Sequence, residues 1–377
     1  MNKTGVFNHG LIWFGAAVSV AEIEAGLQSG DNWTALVLGH LLGGVLLFAA
    51  GLLGARTGEN AMETTRRAFG GWGMRLFALL NVLQLVGWTT VMIAQGSAAA
   101  SALAGGWSPI GCAVVLGVLV AAWVLIGLDD THRIATGAMA LLAVLSVFLT
   151  VRLIGLPSVE TGAAEPLGFW PAFELSVAMP LSWLPLVSDY TRRATRPIAC
   201  TAASAGVYTL VSIWMYALGI LLTSRGQTSL TTGILACGLG MAGLVVVVIS
   251  TVTTTFLDAY SAGESSRVFS SRLKPKAIGV AVCALGTVLA WTGIVDRYVG
   301  FLCLIASVFA PMAAVLLVNC FVVRRSCPCW NAAAWLVGTL TYHYASGSPI
   351  GPTLTALLVS GGLALMGRLC RRFREGL

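Results

Sequence analysis

Long apolar runs, most of them near the length of a bilayer crossing, recur from one end of the chain to the other between short polar or Gly/Pro-rich breaks. Such runs predict α-helices, because in lipid only helices and closed barrels satisfy their own backbone groups. The pattern places twelve, at residues 11–28, 34–54, 74–104, 108–127, 134–156, 170–190, 198–222, 232–262, 277–295, 298–323, 331–345 and 350–369. The eleventh is short for a span of about 20 residues, so the last two read as a peripheral pair. Two runs carry acid: Glu22 and Glu24 between Leu11 and Leu27, and Asp258 between Gly233 and Ala262. An ionised carboxylate at a helix centre costs roughly 2.5–3.5 kcal/mol even on insertion scales, so it is expected to face a cavity or a partner. Glu22 lies deeper than Glu24, which sits near a helix end.

Composition agrees with a polytopic membrane protein: 57% hydrophobic residues, 10% charged and a mean hydropathy of +0.86 over 377 residues. The basic residues orient it. With both termini inside, the cytoplasmic segments hold Lys3, Arg56, Arg66, Arg67, Arg75, Arg133, Arg192, Arg193, Arg196, Arg267, Arg272, Lys274, Lys276, Arg324, Arg325, Arg368, Arg371, Arg372 and Arg374, and the external loops only Arg152, Arg225 and Arg297. That asymmetry is the positive-inside rule. It assigns the net charge of +7 to the anionic inner leaflet, with no nucleic-acid partner implied. No cleavable signal peptide is expected, because the first apolar run holds two glutamates and leads into a further span. Nine scattered cysteines suggest reduced thiols, and four isolated histidines give no metal-ligand spacing. His40 reads as a packed core histidine.

Four stretches carry candidate chemistry. Small and polar residues fill the middle of the first run, Phe14 to Gly26, where an unwound backbone would offer carbonyls to a cation or substrate, although small residues also permit close helix packing. The sixth run holds Pro180 and Pro185 around Ser182, which makes it a candidate broken helix. In the eighth, Ser250, Thr254 and Asp258 share one face, with Thr253 beside them; hydroxyl oxygens suit a hard cation and a carboxylate suits an N–H donor. Hydroxyls that bond back one turn would account for the threonines but not for Asp258. In the third, Asn81, Gln84, Trp88 and Gln95 form a stripe in which a mid-span indole can stack on a flat heteroaromatic ring.

Taken together, Trp13 to Gly26, Gly54-Ala55-Arg56-Thr57-Gly58 with Arg66 to Gly70, Gln84-Leu85-Val86-Gly87-Trp88, Ser188-Asp189-Tyr190-Thr191-Arg192 and Thr253 to Ala262 resemble the nucleobase-cation symporter-1 family, and within it the hydroxymethylpyrimidine permeases of the CytX type. The resemblance covers nearly the whole chain. It implies an all-α, LeuT-like fold in one domain over residues 1–377: helices one to five (11–156) and six to ten (170–323) as inverted repeats, and a peripheral pair at 331–369. It implies a sodium ion near Ala16 and Ser19 of the first helix and the Ser250 carbonyl, Thr253 and Thr254 of the eighth. The substrate would stack on Trp88, near Gln84, and touch Met179, Pro180 and Ser182. An eighth-helix asparagine of some relatives corresponds to Asp258, an aromatic in the sixth-helix break to Pro180, and a third-helix glutamine to Met92.

The function implied is a secondary transporter of the cytoplasmic membrane, a monomer as its functional unit, that imports a pyrimidine such as a thiamine precursor. Asp258 would read an aminopyrimidine edge, with Glu22 as its partner or as a proton-linked group. No cofactor is expected beyond the coupling ion, Na⁺ from the hydroxyl cluster or H⁺ through Glu22. Cytosine or another nucleobase is the alternative substrate. The alternatives of other classes are an integral-membrane enzyme using Glu22 and Asp258 as an acid/base pair, and a channel, for which no filter motif is evident.

Overall fold

The first apolar run is two helices, α1 (Val6–Ala17) and α2 (Val20–Gln28), bent by 52° at the break. Ser19 is extended (φ −140°, ψ 154°), and its hydroxyl caps α2 by accepting from the Glu22 N–H at 3.3 Å. The chain is seen here in a computed structural model, which describes residues 3–158, 167–270, 272–293, 297–324, 327–345 and 347–375, with only the backbone of 128–135 and 368–375. Arg325 and the end of the ninth predicted run at 295 lie outside the described residues, as do the side chains of Arg133, Arg368, Arg371, Arg372 and Arg374.

Helices follow at each remaining predicted position: α3 (Trp33–Thr57), α4 (Ala61–Leu103), α5 (Pro109–Ile126), α6 (Leu128–Ile154), α7 (Phe169–Thr191), α8 (Pro197–Ser224), α9 (Leu230–Ala236), α10 (Gly240–Ser266), α11 (Pro275–Ala290), α12 (Tyr298–Leu317), α13 (Pro328–Tyr344) and α14 (Pro352–Glu375), with a π-helical turn Val318–Val323 extending α12. Among the described residues seven helices are individually long and apolar enough to cross a membrane, and the bent α1/α2 pair makes an eighth. The others are shorter or more polar.

Three expectations need correction. The third run starts earlier than 74, because α4 opens at Ala61 with a capping box between Asn60 and Glu63 and kinks at Gly70 (φ 70°, ψ −172°). The eighth run is split, since Gly238 and Gly240 take positive φ and separate α9 from α10. The sixth is not broken: α7 continues through Pro180 and Pro185. Side-chain donors supply the carbonyls around the prolines. Tyr216 Oη donates to Leu175 O (3.1 Å), Ser182 Oγ to Met179 O (2.6 Å) and Gln84 Nε2 to Ser182 O (2.9 Å).

The helices form two packed groups. α1/α2, α3, α7 and α8 make one; α4, α5, α10 and α11 make the other. In the first, α3 lies along α7, where Ser188 and Thr191 donate to the carbonyls of Ala50 (2.9 Å) and Gly51 (2.7 Å), and Asp189 Oδ1 accepts from Ala61 N (2.8 Å) at the start of α4. α2 crosses α8 so closely that a Cβ on Gly26 would meet the Tyr216 carbonyl and one on Gly219 the Ile23 carbonyl. Backbone cannot step aside as a side-chain tip can. Gly219→Ala is therefore expected to destabilise the fold by about 1–3 kcal/mol, read as a lower melting temperature in detergent, while Gly206→Ala in the same helix, with open space around it, leaves the melting temperature unchanged or raises it slightly.

Candidate functional site

Between the two groups lies a narrow cavity of about 40 Å³, lined by Ala16, Ser19, Ala21 and Glu22 from the α1/α2 break, Leu85, Trp88 and Met92 from α4, Met179, Ser182, Trp183 and Leu186 from α7, and Thr254, Leu257 and Asp258 from α10. Residues up to 242 positions apart in the chain, Ala16 and Asp258, thus share one wall-to-wall space. The sequence-predicted residues Ala16, Ser19, Glu22, Trp88, Met179, Ser182, Thr254 and Asp258 all meet there. Others do not line it. Pro180 faces α3, where its ring fills the space a Gly43 Cβ would occupy. Gln84 is buried behind the wall, its amide donating to Asn81 Oδ1 and to Ser182 O, both at 2.9 Å. Ser250 and Thr253 are buried on α10 outside the cavity surface.

The break supplies free oxygens. Val18 N and Ser19 N turn back to the carbonyls of Phe14 and Ala17 (both 2.9 Å), and Glu22 N goes to the Ser19 hydroxyl. The Gly15 and Ala16 carbonyls therefore lack the N–H partners an unbroken helix would give them. Across the cavity Thr253 and Thr254 both donate to Ser250 O at 2.9 Å, and the Ser250 hydroxyl is buried without a partner. These are hard oxygen donors of the kind an alkali cation takes.

Trp88 is held by T-shaped contacts with Tyr298 (6.1 Å, 77°) and Phe301 (5.4 Å, 75°). Trp183, which sequence reasoning passed over, also lines the cavity and packs edge-on with Trp13 (5.5 Å). Glu22 is 1% exposed and accepts from Tyr208 Oη at 2.7 Å and Ser212 Oγ at 2.6 Å. Ser212 also bonds His40 Nε2 at 2.8 Å, whose Nδ1 lies 2.9 Å from Leu36 O. His40, read from sequence as core packing, is thus tied to the cavity carboxylate through one hydroxyl. Tyr208, Ser212 and Tyr216 recur every four residues along α8, and that polar stripe is the signal that would have found them. Ser212→Ala is expected to cost about 1–3 kcal/mol in stability, because His40 Nε2 loses its buried partner; thermal unfolding in detergent reads it.

A second, wider cavity of about 650 Å³ opens among Arg66, Arg192, Arg193 and Arg267 with Glu63, Asp189 and Glu264. Leu257 lines both spaces.

The whole chain matches known proteins. Residues 2–368 fit the family model described as permease for cytosine/purines, uracil, thiamine, allantoin. The cytosine permease of Escherichia coli (strain K12) is 26% identical over 333 residues, 84% of this chain and 76% of the relative. Among solved structures, the inward-facing conformation of Mhp1 superposes with a TM-score of 0.84 at 16% identity, covering 99% of this chain and 92% of that one. Mhp1 in a closed conformation with bromovinylhydantoin bound, named as a nucleobase-cation-symport-1 family transporter, gives 0.82 at 17% identity over 98% and 94%. A substrate-bound, outward-open Na⁺-coupled sialic acid symporter gives 0.71 at 12% over 97% and 90%. At these identities the structures establish the LeuT-like fold. The family is one of permeases, which sets aside the acid/base enzyme and makes the protein a multi-pass membrane transporter of a small molecule. The chain belongs to the cytosine/purine permease family, the nucleobase-cation symporter-1 group that its sequence resembles.

Proposed function

We propose that the protein imports a pyrimidine, hydroxymethylpyrimidine or a related thiamine precursor, across the cytoplasmic membrane, driven by a cation gradient. The observation that carries this reading is the cavity itself, where an indole, a carboxylate and the free carbonyls of a broken helix meet between two helix groups. Trp88 stacks on the ring; Met179, Ser182 and Trp183 close its other side; Asp258 takes donors on the ring edge. Sodium is the coupling ion, held by Ala16 and Ser19 with the Ser250 carbonyl, Thr253 and Thr254. A proton carried at Glu22 is the second reading, favoured by the hydrogen-bond chain from that carboxylate to His40. Residues 11–156 and 170–323 serve as the two repeats, 331–369 as a peripheral pair, and both termini face the cytoplasm, which puts the arginine-lined vestibule on the inner side.

Helix groups that rock about this cavity give alternating access. If sodium orders the α1/α2 break and α10 together, ligand and ion raise each other's affinity by the same factor. Equilibrium binding to the purified protein tests this. Hydroxymethylpyrimidine is expected to bind more tightly in sodium than in an organic-cation buffer, sodium more tightly by that same factor when the ligand is present, and the ligand to be recovered chemically unchanged. A shift in one affinity without the other contradicts it, and cytosine binding in preference would turn the reading to the cytosine permeases that the chain is similar to.

A further inference from the structure

We propose that the cavity takes its ligand as an amidinium-type cation, a planar ring bearing an amino group beside a protonated ring nitrogen. This rests on the reading that the cavity is the substrate site, and it adds the charge state the site selects.

Asp258 is 9% exposed, lines the cavity, and makes no hydrogen bond or ion pair among the described residues. Among the described residues the other buried acids, Glu22 and Glu174, and the half-buried Glu24 and Asp189 are partnered. Glu22 accepts from Tyr208 and Ser212, Glu24 from Leu230 N, Glu174 from Tyr342 and from Thr353, and Asp189 from Ala61 N. Buried polar groups are satisfied as a rule, so one carboxylate left bare inside a cavity points to what enters it. The cavity lining includes no Lys, Arg or His. No side chain of the lining supplies a positive charge to Asp258, and beside the coupling ion the occupant is what can bring one. Glu22 on the facing wall adds a second acidic group, whose two oxygens are each already engaged.

Donor geometry narrows the occupant further. An ionised carboxylate offers acceptors only. The edge of a neutral aminopyrimidine presents an N–H donor next to a ring-nitrogen lone pair, so one carboxylate oxygen would be satisfied and the other would face a second acceptor. Protonation of that ring nitrogen turns the edge into two parallel N–H donors, the pattern by which a guanidinium grips a carboxylate with two bonds. Protonated cytosine presents the same edge. Uracil, with carbonyls flanking its ring N–H, does not.

The probes that isolate this feature are benzamidine and benzamide, which share ring and shape and differ in amidinium against amide. Each is titrated into the purified full-length protein in detergent, beside hydroxymethylpyrimidine. Benzamidine is expected to bind at least about tenfold more tightly than benzamide, a difference of about 1.4 kcal/mol, and Asp258→Asn is expected to erase the preference while the melting temperature stays near the parent's. Equal binding of the two probes, failure of benzamidine to bind, or a preference that survives Asp258→Asn each overturns the proposal. The probe pair works on the parent protein alone, so a poorly folding variant does not remove the test. Amidine preference without pyrimidine binding would keep this inference and sink the pyrimidine reading. Pyrimidine binding without amidine preference would do the reverse.

Discussion

Glu22→Gln is expected to stay folded and to lose uptake by tenfold or more, whereas Glu22→Ala loses both. The difference follows from counting protons along the chain Tyr208, Glu22, Ser212, His40. A glutamine can accept the Tyr208 hydroxyl on its oxygen and donate its amide N–H to Ser212 Oγ. The Ser212 proton then turns to His40 Nε2, while His40 Nδ1–H keeps Leu36 O. Tyr208, Ser212 and His40 all keep partners, the second amide N–H of the glutamine alone gains none, and the ionisable carboxyl is gone. Alanine leaves the Tyr208 hydroxyl without an acceptor in a dry site, at about 1–3 kcal/mol, and opens space beside it. Thermal unfolding and uptake measured on both variants separate bracing from chemistry. A Glu22→Gln protein that transports like the parent would leave the carboxylate a brace only.

Trp88→Ala is expected to weaken ligand binding by ten- to a hundredfold. An aromatic platform under a nucleobase-like ring contributes about 1–3 kcal/mol, and each factor of ten is about 1.4 kcal/mol. Removing a buried indole also costs about 3–5 kcal/mol of stability, since Tyr298 and Phe301 lose the ring they pack against. Trp88→Phe is the control: it keeps a flat ring and most of the packing, and is expected to hold affinity within about threefold, half a factor of ten on the same logarithmic scale. Equal affinity of Trp88→Ala and parent, with the alanine protein shown to be folded, would move the stacking platform elsewhere, with Trp183 the next residue on the cavity wall.

The sequence made the helices legible because bilayer length and apolar content are written locally. It made much of the cavity legible because a carboxylate or a backbone break within a span is costly in lipid and is tolerated where it faces a cavity or a partner. Glu22, Asp258 and the Ala16–Ser19 segment come from that reasoning, and they meet in one space. The limits are tertiary. Two prolines in α7 read as a break, yet donors from α4 and α8, namely Gln84 and Tyr216, bond to carbonyls of α7 near them. No local pattern announces a partner a hundred residues away. His40 looked inert for the same reason: its tie to Glu22 runs through Ser212, 172 residues on. Gln84 and Pro180 lie on the predicted helices but point into helix contacts and not into the cavity, and rotation about a helix axis by one position is finer than periodicity resolves. The family motif Ser188 to Arg192 had no chemical reading in sequence; in the fold Ser188, Asp189 and Thr191 fasten α7 to α3 and to the start of α4.

Uptake of labelled hydroxymethylpyrimidine into proteoliposomes under an imposed sodium gradient, with a pH gradient and unlabelled cytosine as parallel arms, tests the central claim most directly. Accumulation above equilibrium that collapses when the sodium gradient is removed and resists excess cytosine is the predicted result. Accumulation that ignores sodium and follows the pH gradient would assign coupling to a proton. No accumulation under either gradient, by protein that is folded and correctly inserted, would contradict the claim.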